Sequence, residues 1–231
     1  MPYVSKRHRK NLEQRPAQAQ TVDAAVEFLK NFAQTKFDET VEIAIRTGID
    51  PKQTSQAIRG AYSLPHGIGK SVRVIAFCEG EMRKQALEAG AVDAGGEDLA
   101  KKIEGGWMDF DVAIAHPAAM RYVGKLGRVL GPQGKMPTPK AGTVTADVQS
   151  GVREFAAGKI NFRNDAGAII HAPMGKKSFS KEKLVDNINA FVHHVNTLRP
   201  SAAKGIFIRK VVIKTTMSPS VQIESGALAA M

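Results

Sequence analysis

Apolar positions in the first fifty residues fall into two rhythms. Val22, Val26, Leu29 and Ala33 recur at the spacing of one helical face, Thr21 stands where a cap belongs, and the run ends before Lys36. Val41, Ile43 and Ile45 then alternate with Thr40, Glu42 and Arg46, the pattern of a strand buried on one side. Ala61 to Leu64 predicts a second strand, stopped by Pro65. From Ser71 the rhythm changes. Val72 to Phe77 and Asp111 to Ala115 read as buried strands, and Glu81 to Ala89 and Leu99 to Ile103 as helices. Ala118 to Leu126 and Val148 to Ala157 look helical too. After Gly158 the first style returns. Lys159 to Arg163 and Ala168 to His171 read as the two strands of a hairpin. Ser180 caps a helix with Leu184, Ile188, Phe191 and Val195 on one face, and Ile206 to Ile213 forms a final strand.

Strands alternating with helices in the middle predict a parallel sheet covered by helices, whereas the flanking segments predict an α+β unit. The expected organisation is therefore a split outer domain, residues 1–67 and 159–231, with a three-layer α/β domain, residues 68–158, inserted in it. Met1 to Gln20 and Ser225 to Met231 read as flexible tails, the first carrying Lys6, Arg7, Arg9 and Lys10.

Charge strengthens this division. The 33 Lys and Arg against 22 Asp and Glu give +11. Between Ile68 and Gly158 there are 12 basic and 11 acidic residues, which leaves 21 and 11 outside and puts +10 of the excess on the ends. Such an excess suits a polyanion: nucleic acid, an anionic membrane or an acidic protein. No apolar run of about 18 residues predicts a membrane span, and the N-terminus lacks the apolar stretch of a signal peptide, so a cytoplasmic location is expected. The single cysteine, Cys78, lies in an apolar run and reads as core.

Enzymatic signals are weak. Leu64 to Ser71 ends like a phosphate-binding loop but carries leucine where the first glycine belongs, and a strand rather than a helix follows, so it reads as a hinge. The six histidines form no metal-binding pair at helical spacing, and Asp109 and Asp111 read as strand-mouth residues. A nucleotide-dependent enzyme on the middle domain needs a glycine fingerprint after the first strand, where Cys78-Glu79-Gly80-Glu81 stands instead. No catalytic residue, cofactor or metal is expected.

Two features point toward RNA. Lys125 to Thr145 is a Gly/Pro-punctuated loop with Lys125, Arg128, Lys135 and Lys140 and no acid; it suits an RNA backbone, and equally a turn series between helices. Lys36 to Glu42 and Lys214 to Ser220 lie at strand boundaries. If those strands pair, Phe37 and Met217 offer apolar faces to a ribose or base, beside the hydroxyls of Thr216 and Ser218 and the charge of Lys36. The alternative for Phe37 is a core aromatic closing the first helix.

From about Thr21 to Ile223 the chain closely resembles the bacterial form of the first large-subunit ribosomal protein, the mobile-stalk protein of the L-one family. The likeness rests on KFDETVE (Lys36 to Glu42), RGAYSLPHGIGK (Arg59 to Lys70), GGWMDFD (Gly105 to Asp111), LGRVLGPQGKMPTPKAGTVT (Leu126 to Thr145), FRND (Phe162 to Asp165) and TTMSPSV (Thr215 to Val221). The resemblance implies a basic outer domain that grips large-subunit rRNA, a Rossmann-like inserted domain, and no catalysis. It implies help in releasing deacylated tRNA from the E site, and repression of translation through the leader of the protein's own mRNA. The expected state off the ribosome is a monomer. The RNA-recognition cluster it implies is Phe37, Thr216, Met217 and Ser218, with Lys36, Thr40, Glu42, Arg163, His171, Lys176 and Lys210 around them. Arg128, Lys135 and Lys140 form a secondary contact loop. Many relatives carry glycine at the position of Ser218, where a hydroxymethyl either crowds the RNA or adds a ribose contact.

Overall fold

A computed structural model describes residues 5–224. They form two compact units. One contains the described residues up to Gly69 together with those from Phe162 onward, and the other is Lys70–Asn161. In chain order the elements are α1 (Lys6–Glu13), α2 (Val22–Asn31), β1 (Thr40–Thr47), β2 (Arg59–Ser63), β3 (Val74–Phe77), α3 (Glu81–Glu88), β4 (Asp93–Gly95) and α4 (Glu97–Glu104). Then follow β5 (Val112–Ala115), α5 (Met120–Val123), α6 (Gly127–Leu130), α7 (Val148–Ala156), β6 (Lys159–Arg163), β7 (Ile169–Lys176), α8 (Lys181–Thr197), β8 (Ile208–Thr215) and β9 (Val221–Ile223).

The terminal unit is built on a four-stranded sheet of order β7-β1-β8-β9, antiparallel throughout. Alternation in β1 buries Val41, Ile43 and Ile45 with Ile170, Met174, Val211 and Ile213. Helices α2 and α8 cover this face, contributing Val26 and Leu29 from one and Leu184, Ile188, Phe191 and Val195 from the other. Both helices start as their sequences dictate: Thr21 Oγ1 accepts from the Ala24 amide and Ser180 Oγ from the Lys183 amide, each at 3.4 Å.

Three expectations need correction here. Lys159–Arg163 and the strand after Ala168 do not form a hairpin ladder: β6 pairs with β2 in a separate two-stranded ribbon, β7 pairs with β1, and only a bridge at Asn164 and Ile170 joins them. Over its described residues the N-terminal stretch is not a loose tail but carries α1. The Asn11 side chain is buried, and its Oδ1 accepts from the Ala33 amide at 3.0 Å, satisfying a backbone donor just beyond α2. Ala118 to Leu126 is not one helix; it breaks into short 3-10 turns around α5. The segment expected as a C-terminal tail, 225–231, lies outside the described residues.

The middle unit is a parallel three-stranded sheet of order β4-β3-β5. Its strands β3 and β5 are apolar on both faces because both are covered. Ile75, Phe77, Ala113 and Ala115 join a core with Leu99 and Ile103 of α4, Val123 and Leu126. On the other face Ile114 meets α7, where a Cβ on Gly151 would stand 3.6 Å from it. Cys78 is buried behind β3, and burial pushes its thiol pKa up. Asp109 and Asp111 form ion pairs with Arg73, and Asp111 also pairs with Lys70 at 3.4 Å, so this cluster ties a strand start together.

Leu64 to Ser71 holds no phosphate-loop geometry, since β3 rather than a helix follows it. Its path is fixed instead by α8. The fully buried Asn187 accepts from the His66 amide at 3.1 Å and donates to the carbonyls of Gly67 at 3.0 Å and Met174 at 2.8 Å. Gly69 has φ of 69°, and a Cβ there would stand 2.6 Å from the Phe179 ring.

Candidate nucleic-acid interface

Phe37 does not close the first helix. Phe32, at the end of α2, fills that core position at 2% exposure, while Phe37 is 55% exposed and Met217 is 48% exposed. What brings their segments together is Glu39. Its carboxylate is buried and accepts from Thr215 Oγ1 at 2.6 Å and the Met217 amide at 2.9 Å. Burial pushes this carboxyl up, but the Thr215 hydroxyl, the Met217 amide, Thr35 and the charge of Lys177 together outweigh it and hold the pKa below the usual value. Next to it the Thr216 amide donates to the Thr40 carbonyl at 3.1 Å, and Thr216 Oγ1 accepts from the Thr40 amide at 3.2 Å. The exposed aromatic and the exposed thioether thus flank one rigid, buried node.

The same alternation that buries one face of the sheet turns the other toward solvent. Thr40, Glu42, Ala44 and Arg46 of β1 stand opposite Lys176, Pro173, His171 and Ile169 of β7. Across the other edge Glu42, Ala44 and Arg46 stand opposite Lys214, Val212 and Lys210 of β8. Glu42 pairs with Lys214 at 3.2 Å, and Lys176 Nζ donates to Thr40 Oγ1 at 3.0 Å. Arg46 and Lys210, directly opposite and both exposed, make no ion pair among the described residues. Like charges so placed destabilise a strand pair unless an anion lies over them. His171 faces Asp165 at 3.6 Å, and Arg163 is exposed on β6, outside the four-stranded sheet.

A family model described as the ribosomal protein L1p/L10e family matches residues 29–219, a span containing the whole of this node and sheet face. The chain belongs to that family. Among its relatives, the large ribosomal subunit protein uL1 of Thermus thermophilus is 52% identical over 225 residues, covering 96% of this chain and 98% of the relative. The protein of the same name from Kosmotoga olearia is 47% identical, with 97% of each chain covered, and that from Maridesulfovibrio salexigens is 48% identical, with 97% and 96% covered.

Within this L1-family chain the expected contact residues separate into groups. Lys36, Phe37, Thr40, Glu42, His171, Lys176, Lys210, Thr216 and Met217 lie on or beside the sheet face and node. Ser218 turns inward: its Oγ accepts from the Thr215 amide at 2.9 Å and donates to the Pro219 carbonyl at 3.0 Å, so its hydroxyl shapes the turn rather than standing free for a ribose. In the middle unit Arg128 and Lys140 are exposed. Lys135 is not a free cation of that loop. Its ammonium donates to the carbonyls of Met108 and Phe110, at 3.2 and 2.7 Å, and sits over the Phe110 ring, which makes it an internal strut. Three residues of the interface escaped sequence reasoning. Arg46 and Lys214 share the period-two face of Thr40 and Lys210, a signal already present in the alternation. Glu39 was hidden because a charged residue at a strand entry reads as surface.

Among the described residues no group of three or more His, Cys, Asp or Glu is arranged to hold a metal ion, and no helix is long and apolar enough to cross a membrane.

Proposed function

We propose that this chain is an RNA-binding component of the large ribosomal subunit, acting in the cytoplasm on the ribosome, and that it is not an enzyme. Membership of a ribosomal protein family supports the coarse reading. The observation that carries the finer one is the Glu39 node, which holds exposed Phe37 and Met217 beside a sheet face with unpaired Arg46 and Lys210. Apolar faces of this kind stack on ribose or base, cations take phosphate, and the Thr216 hydroxyl offers a partner to a 2′-OH. In this reading the terminal unit is a split RNA-binding domain and the middle unit an inserted Rossmann-like arm, with Arg163 at the margin of the site. Its RNA is the rRNA of the mobile stalk near the E site. There the protein assists release of deacylated tRNA, with Arg128 and Lys140 available to a second RNA. A similar element in the leader of its own mRNA makes it a repressor of its own translation, bound as a monomer.

Gel-shift titration against a stalk-helix RNA tests this directly. Specific binding is expected to fall steeply with salt and to exceed that of a scrambled duplex by at least about a thousandfold; equal binding of the two RNAs refutes the proposal. Phe37→Ala and Met217→Ala are each expected to weaken stalk-RNA binding by roughly tenfold or more, since loss of a stacking surface costs about 1–3 kcal/mol. Thermal stability should change by less than about 0.5 kcal/mol, because both side chains are half exposed.

A further inference from the structure

Helix α1 departs from the ordinary logic of helix charge. Its sequence opens Lys6-Arg7-His8-Arg9-Lys10, and no acid stands in its first turn, where the positive end of the helix dipole disfavours cations. None of Lys6, Arg7, Arg9 and Lys10 forms an ion pair among the described residues. Ion pairing is common elsewhere: in the middle unit Arg73, Arg83, Lys101, Lys102, Arg121 and Lys159 pair with carboxylates, although Lys84, Lys125, Arg128, Lys140 and Arg153 there form no ion pair among the described residues. A local rule broken without a compensating contact is where function is sought.

The helix is also held in place. Asn11 ties it to the Ala33 amide, and the chain continues from there directly into the groove lined by Thr35, Lys36, Phe37 and Lys177. Burial pushes the Lys177 ammonium below its ordinary pKa, and the charges of Arg7 and Lys30 push it the same way against the pull of Glu39. Arg7 of α1 therefore lies within electrostatic reach of the groove that ends at the exposed Phe37. Lys30 and Lys177 themselves are tied to the carbonyls of Phe179 and Phe32, so the side chains not so tied are Lys36 in the groove and the cations of α1.

We propose that α1 is a second phosphate-binding ridge, which lies along the backbone of the same RNA that the Phe37 and Met217 face recognises and adds affinity without sequence preference. This rests on the RNA-binding reading above. Without RNA the four like charges repel one another; a phosphate chain laid across them relieves that repulsion and releases counterions.

The test is a salt titration of the full chain and of one variant carrying Lys6→Gln, Arg7→Gln, Arg9→Gln and Lys10→Gln, glutamine being a comparable helix former. The probes are a stalk-helix RNA and a scrambled duplex, with circular dichroism to check helix content. The plot of log affinity against log salt should be shallower for the variant by about 3–4, at roughly 0.7–0.9 for each of the four phosphates left unneutralised. Its preference for the stalk RNA over the duplex should persist. An unchanged slope with preference intact in both proteins overturns the ridge and leaves the RNA-binding reading standing. If the parent protein itself shows no preference for the stalk RNA, both fall. Loss of binding to vesicles containing phosphatidylserine, with the RNA slope unchanged, also overturns the ridge and assigns α1 to a membrane surface.

Discussion

Glu39→Ala is expected to lower the stability of the terminal unit by about 3 kcal/mol and to weaken stalk-RNA binding with it. The substitution leaves the Thr215 hydroxyl, buried at 0% exposure, and the Met217 amide without their acceptor, and hydrogen bonds to a charged group are worth about 1.5–3 kcal/mol each. Differential scanning calorimetry should show the midpoint falling by roughly 6–12 °C. Glu39→Gln separates hydrogen bonding from charge. Both hydrogen bonds are made to one carboxylate oxygen, which the amide oxygen can replace, so the loss at neutral pH should stay within about 1.5 kcal/mol. The two proteins should also differ in acid. A carboxyl whose folded pKa lies below its unfolded value stabilises the fold above the unfolded value, near 4.3, and that stability is lost as pH falls through the folded pKa. The stability gap between the parent protein and Glu39→Gln should therefore be full at neutral pH and shrink below about pH 4.3. A gap independent of pH refutes the assignment of a charged, buried Glu39. Since this node sets the Met217 turn, Glu39→Ala should also cost more in RNA affinity than Phe37→Ala does, although Glu39 is itself buried away from any ligand.

Much of this architecture was legible from residue spacing. Period-two alternation defined β1, helical spacing with Thr21 and Ser180 caps defined α2 and α8, and the continuous apolar runs around Phe77 and Ala115 marked strands covered on both sides. The pairing of strands was less legible. Two adjacent strands joined by Asp165 and Gly167 look like a hairpin, yet β7 finds its partner in β1, more than a hundred residues earlier in the chain, because burying Ile170 and Met174 against α8 requires it. A polar, cationic N-terminus has the composition of a tail, and what ties it down is a buried amide, Asn11, bonded to Ala33, together with backbone bonds from Gln20 to Gln222 and Glu224 at the far end of the chain. In the interface the exposed cations were readable where alternation could be counted. The feature that organises them, Glu39, was not. Its burial depends on a hydroxyl and an amide supplied 176 and 178 residues away.

Asn187→Leu is expected to cost about 3 kcal/mol or more, the largest loss for a position that touches no proposed ligand. The helical spacing of Leu184, Ile188, Phe191 and Val195 places residue 187 beside the same apolar stripe, and leucine matches the volume. Yet its side chain satisfies the His66 amide and the carbonyls of Gly67 and Met174 within a closed site. Leucine leaves three backbone groups without partners, and each buried polar group left so costs about 1–3 kcal/mol. Asn187→Asp supplies a sharper check. A carboxylate can still accept from the His66 amide, but it sets charge against two carbonyl oxygens, so its folded pKa must rise above the unfolded value near 3.9. A raised carboxyl pKa makes the penalty largest at neutral pH and reduces it as pH falls, when the protonated form donates to one of the carbonyls. Thermal midpoints of the Asn187→Asp protein, measured relative to the parent from pH 7 down to pH 4, should thus converge. Parallel curves would mean that the loop from Leu64 to Gly69, where the chain leaves the terminal unit, is not pinned by this amide. Convergence would locate the control of that exit path in α8, a helix that carries none of the proposed RNA contacts.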